Sequence, residues 1–142
     1  MTTHEATRTV GDCMALEPIV IREDATLTEA VQLMDRTHVH GVPVVNAAGS
    51  VVGVISQTDL ARARATEYLW VNWPGLAVRH LMTSPAVTVR RSTPLIIAAR
   101  RMERHRIHRL VVVDDLDELV PIGVLSITDL IHAMARESEA RR

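Results

Sequence analysis

The sequence predicts an α/β protein in which two copies of one β-α-β-β-α unit pack into a single compact module. One phrase, Ser-x-Thr-Asp-Leu after an apolar strand, occurs at residues 56–60 and again at 126–130. Apolar helical patterns upstream recur at an offset of 68 residues. Each copy of an internal repeat must form the same supersecondary unit, and 142 residues are about one domain's worth of chain. We therefore expect two half-domains that bury their apolar faces on each other.

The first helix of each copy is predicted at about residues 26–37 and 94–106. Apolar residues in both segments follow the spacing i, i+3, i+4, i+7, which is the stripe of an amphipathic helix. The matched sets are Leu27, Ala30, Val31 and Met34 in the first copy and Leu95, Ala98, Ala99 and Met102 in the second.

Short apolar runs around these helices predict three strands in each copy, and the repeated phrase opens a last helix. The predicted strands are residues 19–21, 42–45 and 51–55 in the first copy and 87–89, 110–113 and 120–125 in the second. The last helix of the first copy is predicted to start at Thr58, and that of the second copy to span residues 128–138. Residues 46–49 read Asn-Ala-Ala-Gly, a hairpin turn in which Asn and Gly accept positive φ. Gly53 and Gly123 are 70 positions apart, so the second hairpin is two residues longer, with its turn in the acidic stretch 114–118.

Domain organisation follows from these patterns as repeat 1 at residues 10–66, a linker at 67–77 and repeat 2 at 78–138. The linker contains every aromatic residue of the chain, Tyr68, Trp70 and Trp73. We favour rings that cover the core between the copies or fill a subunit interface, since large amphipathic rings suit both. A ring stacked over a ligand's base is the alternative.

Composition limits the class of protein. The chain is 47% apolar with 2% aromatic residues and no Phe, which predicts an aliphatic core. No run approaches the roughly 18 apolar residues of a membrane span, and the first residues lack a signal-peptide pattern, so we predict a cytoplasmic protein without membrane contact. Cys13, the single cysteine, cannot form an internal disulfide.

The Thr-Asp pair of the repeated phrase places a hydroxyl, a carboxylate and free backbone N–H groups where a strand enters a helix. Such a point suits phosphate oxygens, while a carboxylate accepts hydrogen bonds from ribose hydroxyls. The pattern Ser-x-x-Asp is equally a capping box that only starts a helix, at Ser56 to Asp59 and at Ser126 to Asp129. His108 and Arg109 enter the neighbouring strand of the second copy, and Arg pairs with phosphate in a bidentate manner, which favours a ligand.

From about Val10 to Met134 the chain resembles a tandem pair of CBS (cystathionine β-synthase) domains, the Bateman module. The motifs are Asp12-x-Met14 at the opening of a copy, Gly-x-x-Ser-x-Thr-Asp at its close, and His40-Gly41-Val42-Pro43-Val44-Val45 between them. Residues 108–114, His-Arg-Leu-Val-Val-Val-Asp, also resemble the adenylate-binding repeats in the gamma subunit of AMP-activated protein kinase.

The resemblance implies two pseudo-symmetric CBS repeats packed about a pseudo-twofold axis, with two clefts for adenosine-containing ligands. Each cleft draws residues from both copies, and the first copy has His40-Gly41 in place of His-Arg. The implied ligand-binding residues are Asp59 and Asp129 for ribose, Thr58 and Thr128 for phosphate or ribose, His108 and Arg109 for phosphate, Ile19, Val20, Ala86 and Val87 for the base, and His40 and Pro43 from the strand motif.

Metal, catalytic and nucleic-acid sites are not favoured. His38-x-His40, His105-x-x-His108 and Cys13 lack the company of a Cys pair or a His-Glu-x-x-His helix, so polar residues around a cleft mouth are the better interpretation. No Gly-rich phosphate loop, nucleophile elbow or paired catalytic carboxylates occur, and we predict no enzyme. The arginines between 100 and 106 have no interleaved aromatic residues, which favours a solvated helix face or subunit contact over nucleic acid.

The predicted function is a regulatory adenine-nucleotide sensor, without a required cofactor, that acts through a homodimer or a regulated protein partner. AMP, ADP, ATP, S-adenosylmethionine and NAD all remain open as ligands. A ligand-free dimerisation or docking protein is the first alternative, and a nucleic-acid-binding protein is the second. His108 would add pH sensitivity if it met phosphate.

Overall fold

A computed structural model describes residues 8–13 and 19–140, so Met14 of the opening motif lies outside the described residues. The first repeat forms β1 (Ile21–Arg22), α1 (Leu27–Thr37), β2 (Gly41–Val45), β3 (Val51–Ser56) and α2 (Gln57–Ala65). The connecting segment forms α3 (Glu67–Val71), and α4 (Val78–Leu81) follows it. The second repeat forms β4 (Thr88–Arg90), α5 (Leu95–His105), β5 (Arg109–Val113), β6 (Pro121–Ser126) and α6 (Ile127–Ala140).

The two repeats have the same sheet topology, which confirms the predicted α/β architecture. Each has three strands in the order β1-β2-β3 or β4-β5-β6, with the first pair parallel and the second antiparallel. Val42 pairs with Ile55 in the first repeat, as Leu110 pairs with Leu125 in the second. Both second strands also carry a register shift before their last residue.

Several element boundaries differ from the prediction. β1 begins only at Ile21, where it pairs with Val44, so Ile19 and Val20 precede the strand. The sequence reading also missed α3 and α4. The last helix reaches Ala140 instead of ending at 138. Short helices and strand ends of this kind are fixed by tertiary pairing, which local periodicity does not report.

The long helices follow the predicted stripe with one exception. Leu27, Ala30 and Met34 are buried on α1, but Val31 is 43% exposed. Thr26 Oγ1 accepts a hydrogen bond from the Glu29 amide at 3.1 Å and so starts the helix. α1 ends at His38 and α5 at Arg106, both in the left-handed conformation.

Each hydrophobic core is completed by the segment that precedes the other repeat. Val10 is fully buried in the core of the second repeat, and Val78 is fully buried in the core of the first. The main chain makes the same exchange, because the amide of Val10 donates to Thr93 O and the amide of Val78 donates to Ala25 O, each at 2.8 Å. Each hydrophobic core therefore contains a residue from the other sequence repeat.

The aromatic residues lie beside the first core. Trp73 packs against that core, and its indole Nε1 donates a hydrogen bond to Thr28 Oγ1 at 3.2 Å. The ring of Trp70 lies 5.7 Å from that of Trp73, with the guanidinium of Arg64 4.1 Å from its centroid. Trp73 thus covers part of the first core, whereas the prediction was a core between the copies, and neither Trp is among the residues that line the cleft described below.

None of the helices in residues 8–13 and 19–140 combines the length and the hydropathy that a membrane crossing requires. The cytoplasmic location stays a prediction.

A cleft between the two repeats

A cleft of about 860 Å³ lies between the repeats and draws its walls from both. Gly41 and Arg109 begin the central strands β2 and β5, each opposite the serine that precedes a final helix, Ser56 or Ser126. Predicted site residues that line the cleft are Ile19, His40, Pro43 and Thr58 from the first repeat and His108, Arg109, Thr128 and Asp129 from the second.

Four other predicted site residues are not among those that line this cleft. Val87 packs against the second core, and Ala86 beside it is partly buried. Val20 is exposed before β1, and Asp59 caps α2. Their contact with a ligand stays a prediction.

The cationic part of the cleft is Arg109. Its side chain lies against Gly41, because a Cβ built on that glycine would be 3.0 Å from Arg109 Cδ and 3.2 Å from Nε. Within the described ranges no carboxylate lies within 4.0 Å of its guanidinium. A half-buried guanidinium without an acidic partner is available to an anion.

The carboxylate part of the cleft is Asp129, at the start of α6. Its Oδ2 accepts a hydrogen bond from the Ser126 amide at 3.3 Å, and Ser126 Oγ accepts one from the Asp129 amide at 3.1 Å. This reciprocal pair is the predicted capping box. The side chain is nevertheless exposed, and Oδ1 has no hydrogen-bond partner among the described residues. One oxygen thus starts the helix, and the residue also lines the cleft.

The equivalent Asp59 makes a tighter cap. Its Oδ2 accepts from the Ser56 amide at 2.8 Å and from Ser56 Oγ at 3.0 Å, and Oδ1 lies 3.9 Å from Arg62 Nη1. The side chain is 11% exposed. The capping interpretation of the repeated phrase is therefore confirmed in both copies, but only Asp129 also lines the cleft.

Three histidines and the cysteine also line the cleft. His38, His40 and His108 are exposed there, and no cluster that could hold a metal ion occurs in the described part of the chain. Cys13 is partly buried and donates to Val10 O at 3.2 Å. Burial, and then the negative charge of Asp129, raises the pKa of its thiol.

The sequence analysis placed His38 and Cys13 with the residues around a cleft mouth, but it did not include either of them among the ligand-binding residues. A signal for His38 existed, since Arg106 is its counterpart at the 68-residue offset and both end a helix in the left-handed conformation. A side chain in this strained conformation is held by its surroundings, which often marks a site. Cys13 had no such signal, because its position depends on the exchange of segments between the cores.

The arrangement is suited to a phosphorylated nucleoside. A guanidinium lies beside a strand start, and a carboxylate with an exposed threonine hydroxyl lies at the start of α6. Ile19, Pro43 and Val124 add apolar wall between these polar groups. The guanidinium suits an anion, the carboxylate and the threonine hydroxyl suit ribose hydroxyls, and the apolar wall suits a flat base.

Two α/β repeats with a shared cleft define a paired-repeat fold. The chain belongs to the CBS domain family, whose family model matches residues 10–66 and 78–136. The resemblance found in the sequence is thus confirmed.

Several solved structures share this fold. CBSX2 in complex with AMP is 30% identical, with 92% of this chain and 98% of that chain covered and a TM-score of 0.73; CBSX2 is a CBS-pair protein from Arabidopsis thaliana. The CBS domain of a membrane protein from Sphaerobacter thermophilus is 28% identical, with 89% and 88% covered and a TM-score of 0.75.

The curated relatives include much longer proteins. A homoserine O-acetyltransferase from Methanohalophilus mahii is 34% identical over 126 residues, which are 89% of this chain and 24% of the relative. The chain spans about a quarter of the length of such relatives, or slightly less. The activity of these longer proteins is therefore not assigned to this chain.

Proposed function

We propose that this chain is a regulatory module that binds an adenine nucleotide, or another adenosine-containing ligand, in the cleft between its repeats. The observation that carries the proposal is the presence of an unpaired guanidinium, Arg109, and a carboxylate with a free oxygen, Asp129, in one cleft among the described residues. CBSX2, which shares the fold and 30% of its residues, was crystallised with AMP, and this supports the adenosine class.

The ribose, phosphate and base of the ligand each meet a different part of the cleft. Asp129 Oδ1 accepts hydrogen bonds from the ribose hydroxyls, while Thr128 and the free amides at the start of α6 meet ribose or phosphate oxygens. The phosphate lies at Arg109, with His108 and His40 beside it. Ile19 and Pro43 form the apolar wall for the base.

Regulation follows from the shared walls of the cleft. A ligand that contacts both repeats favours the relative placement in which both sets of contacts form, and so shifts the population of the module. The repeats are already linked, since the Val51 amide donates to Leu119 O at 2.9 Å and joins β3 to the loop before β6. A change at this joint alters the surface that the module presents to a regulated protein partner. Binding, without catalysis, is thus the proposed role.

Calorimetric titration with AMP, ADP, ATP and S-adenosylmethionine tests the proposal. We expect saturable binding of at least one ligand, and an affinity about 10- to 100-fold lower in Arg109→Ala, because a hydrogen bond to a charged group contributes about 1.5–3 kcal/mol. Arg104→Ala is the matched control, since Arg104 is exposed on α5 and does not line the cleft. Folded protein that gives no heat with any ligand would favour the docking alternative.

A homodimer is the second part of the proposal, and exposed apolar residues on the helices support it. Ile131 on α6 is 57% exposed, and Ile96 on α5 is 48% exposed. Water contact with such side chains is unfavourable, whereas a second copy would bury them. Sedimentation equilibrium of wild type and Ile131→Glu tests this, with a shift of the variant to monomer as the expected result.

A further inference from the structure

We propose that the module binds one adenosine ligand per chain, at Asp129, and that the pseudo-symmetric place at Asp59 serves structure alone. This inference rests on the proposed function and adds the number of ligands that each chain binds. Two features distinguish the two places: the carboxylates and the distribution of cationic side chains.

The carboxylates differ in what remains free. Asp59 Oδ2 accepts two hydrogen bonds from Ser56, at 2.8 and 3.0 Å, and Oδ1 faces Arg62 at 3.9 Å. Among residues 8–13 and 19–140, only the Ser126 amide donates to the side chain of Asp129, at 3.3 Å, and the residue is exposed. A ribose at Asp59 would have to displace Ser56 from a carboxylate that is 11% exposed, whereas a ribose at Asp129 finds an oxygen in solvent.

The cationic groups also allow only one phosphate. Arg109 is the sole arginine that lines the described cleft, and the position that would supply its symmetric counterpart is Gly41. The side chain of Arg109 lies over Gly41, near the axis that relates the repeats. A second phosphate would meet the first across this axis without a guanidinium of its own, and like charges at close range repel strongly.

Equilibrium dialysis and calorimetry with AMP test the inference. We expect one AMP bound per chain in the wild type, and this stoichiometry is measured without any variant. Asp129→Asn keeps the shape and the helix cap but loses the charge, and should lower the affinity about 10- to 100-fold. Asp59→Asn, its matched control, should leave the affinity within about threefold, and thermal unfolding of both variants verifies that they fold.

The outcomes separate this inference from the proposed function. Two AMP molecules per chain, or loss of binding in folded Asp59→Asn, would overturn the single-site assignment while the nucleotide-binding function stands. No saturable binding of AMP or of S-adenosylmethionine to the folded wild type would overturn both. One AMP per chain with binding lost only in Asp129→Asn supports both.

Discussion

The side chain of Arg109 lies across Gly41, and these two residues occupy the same position in the two repeats. Equivalent positions that touch must lie close to the pseudo-twofold axis, where only one long side chain fits. The absence of a side chain at position 41 therefore makes room for the guanidinium stem of Arg109. The first repeat thus lacks an arginine at position 41 because the Arg109 side chain of the second repeat occupies that space.

Gly41→Ala should lower nucleotide affinity without loss of stability. The added Cβ would lie 3.0 Å from Arg109 Cδ, so the arginine side chain must move away from its place in the cleft. Because the displaced guanidinium keeps part of its attraction for phosphate, we expect an affinity for AMP about three- to tenfold lower. Calorimetry measures this.

Gly75→Ala is the matched control, because nothing lies within 4 Å of a Cβ at Gly75. Equal AMP affinity in Gly41→Ala and Gly75→Ala would contradict the contact between Arg109 and Gly41.

Gly53→Ala should destabilise the fold. Its Cβ would lie 2.7 Å from Thr83 O, a backbone atom that already accepts a hydrogen bond from Val54. The strand edge and the segment before β4 must then separate, and such overpacking typically lowers the free energy of unfolding by about 1–3 kcal/mol. Urea denaturation of Gly53→Ala beside Gly75→Ala measures the difference. Coincident unfolding curves would show that this edge is not packed as described.

The first helix of each repeat, α1 or α5, could be predicted from the sequence nearly to the residue, because its burial is one-sided. Leu95, Ala98 and Met102 on α5 repeat the burial of Leu27, Ala30 and Met34 on α1. A stripe of period 3.6 needs only one neighbour to bury it, and any neighbour serves. Val31 departs from the stripe because it lies at the edge that the core does not cover.

The difference between the two carboxylates could not be predicted. Asp59 and Asp129 stand in the same phrase and make the same capping box. Their exposure nevertheless differs, since the side chain of Asp59 is 11% exposed and Asp129 is an exposed residue, and a repeated phrase carries no sign of such a difference. The exchange of segments was hidden for the same reason, since Val10 and Val78 bury equally well in either core.

Val10→Ala and Val78→Ala should each destabilise the module. Both side chains are fully buried, and removal of two methyl groups with the resulting cavity costs about 1.5–3 kcal/mol. Hydrogen exchange distinguishes the cores: Val10→Ala should speed exchange in β5 of the second repeat, and Val78→Ala in β2 of the first.

Val71→Ala provides the control for this pair, since Val71 on α3 is 67% exposed and should change stability by less than about 0.5 kcal/mol. If Val10→Ala instead loosened the strands of its own repeat, the exchange of segments would be wrong.

The thiol of Cys13 should react slowly at neutral pH and report on the cleft. Burial raises its pKa, and the charge of Asp129 raises it further, so at any given pH the reactive thiolate is scarcer than for an ordinary thiol. Alkylation by iodoacetamide should therefore accelerate with pH later than for an ordinary thiol, and Asp129→Asn should advance it. Bound AMP should slow the reaction, because Cys13 lines the cleft.

The same shift sets the sign of a stability effect. The folded state keeps the Cys13 proton to higher pH than the unfolded chain, so the stabilisation is complete below the unfolded thiol pKa, about 8.5, and is lost as pH rises through the folded value. Urea denaturation at pH 7.5 and 9.5 should thus show a larger alkaline loss in the wild type than in Cys13→Ala. An equal loss in both proteins would mean that the thiol ionises alike in the folded and unfolded states, and would place Cys13 in water instead of against Val10 O and the wall of the cleft.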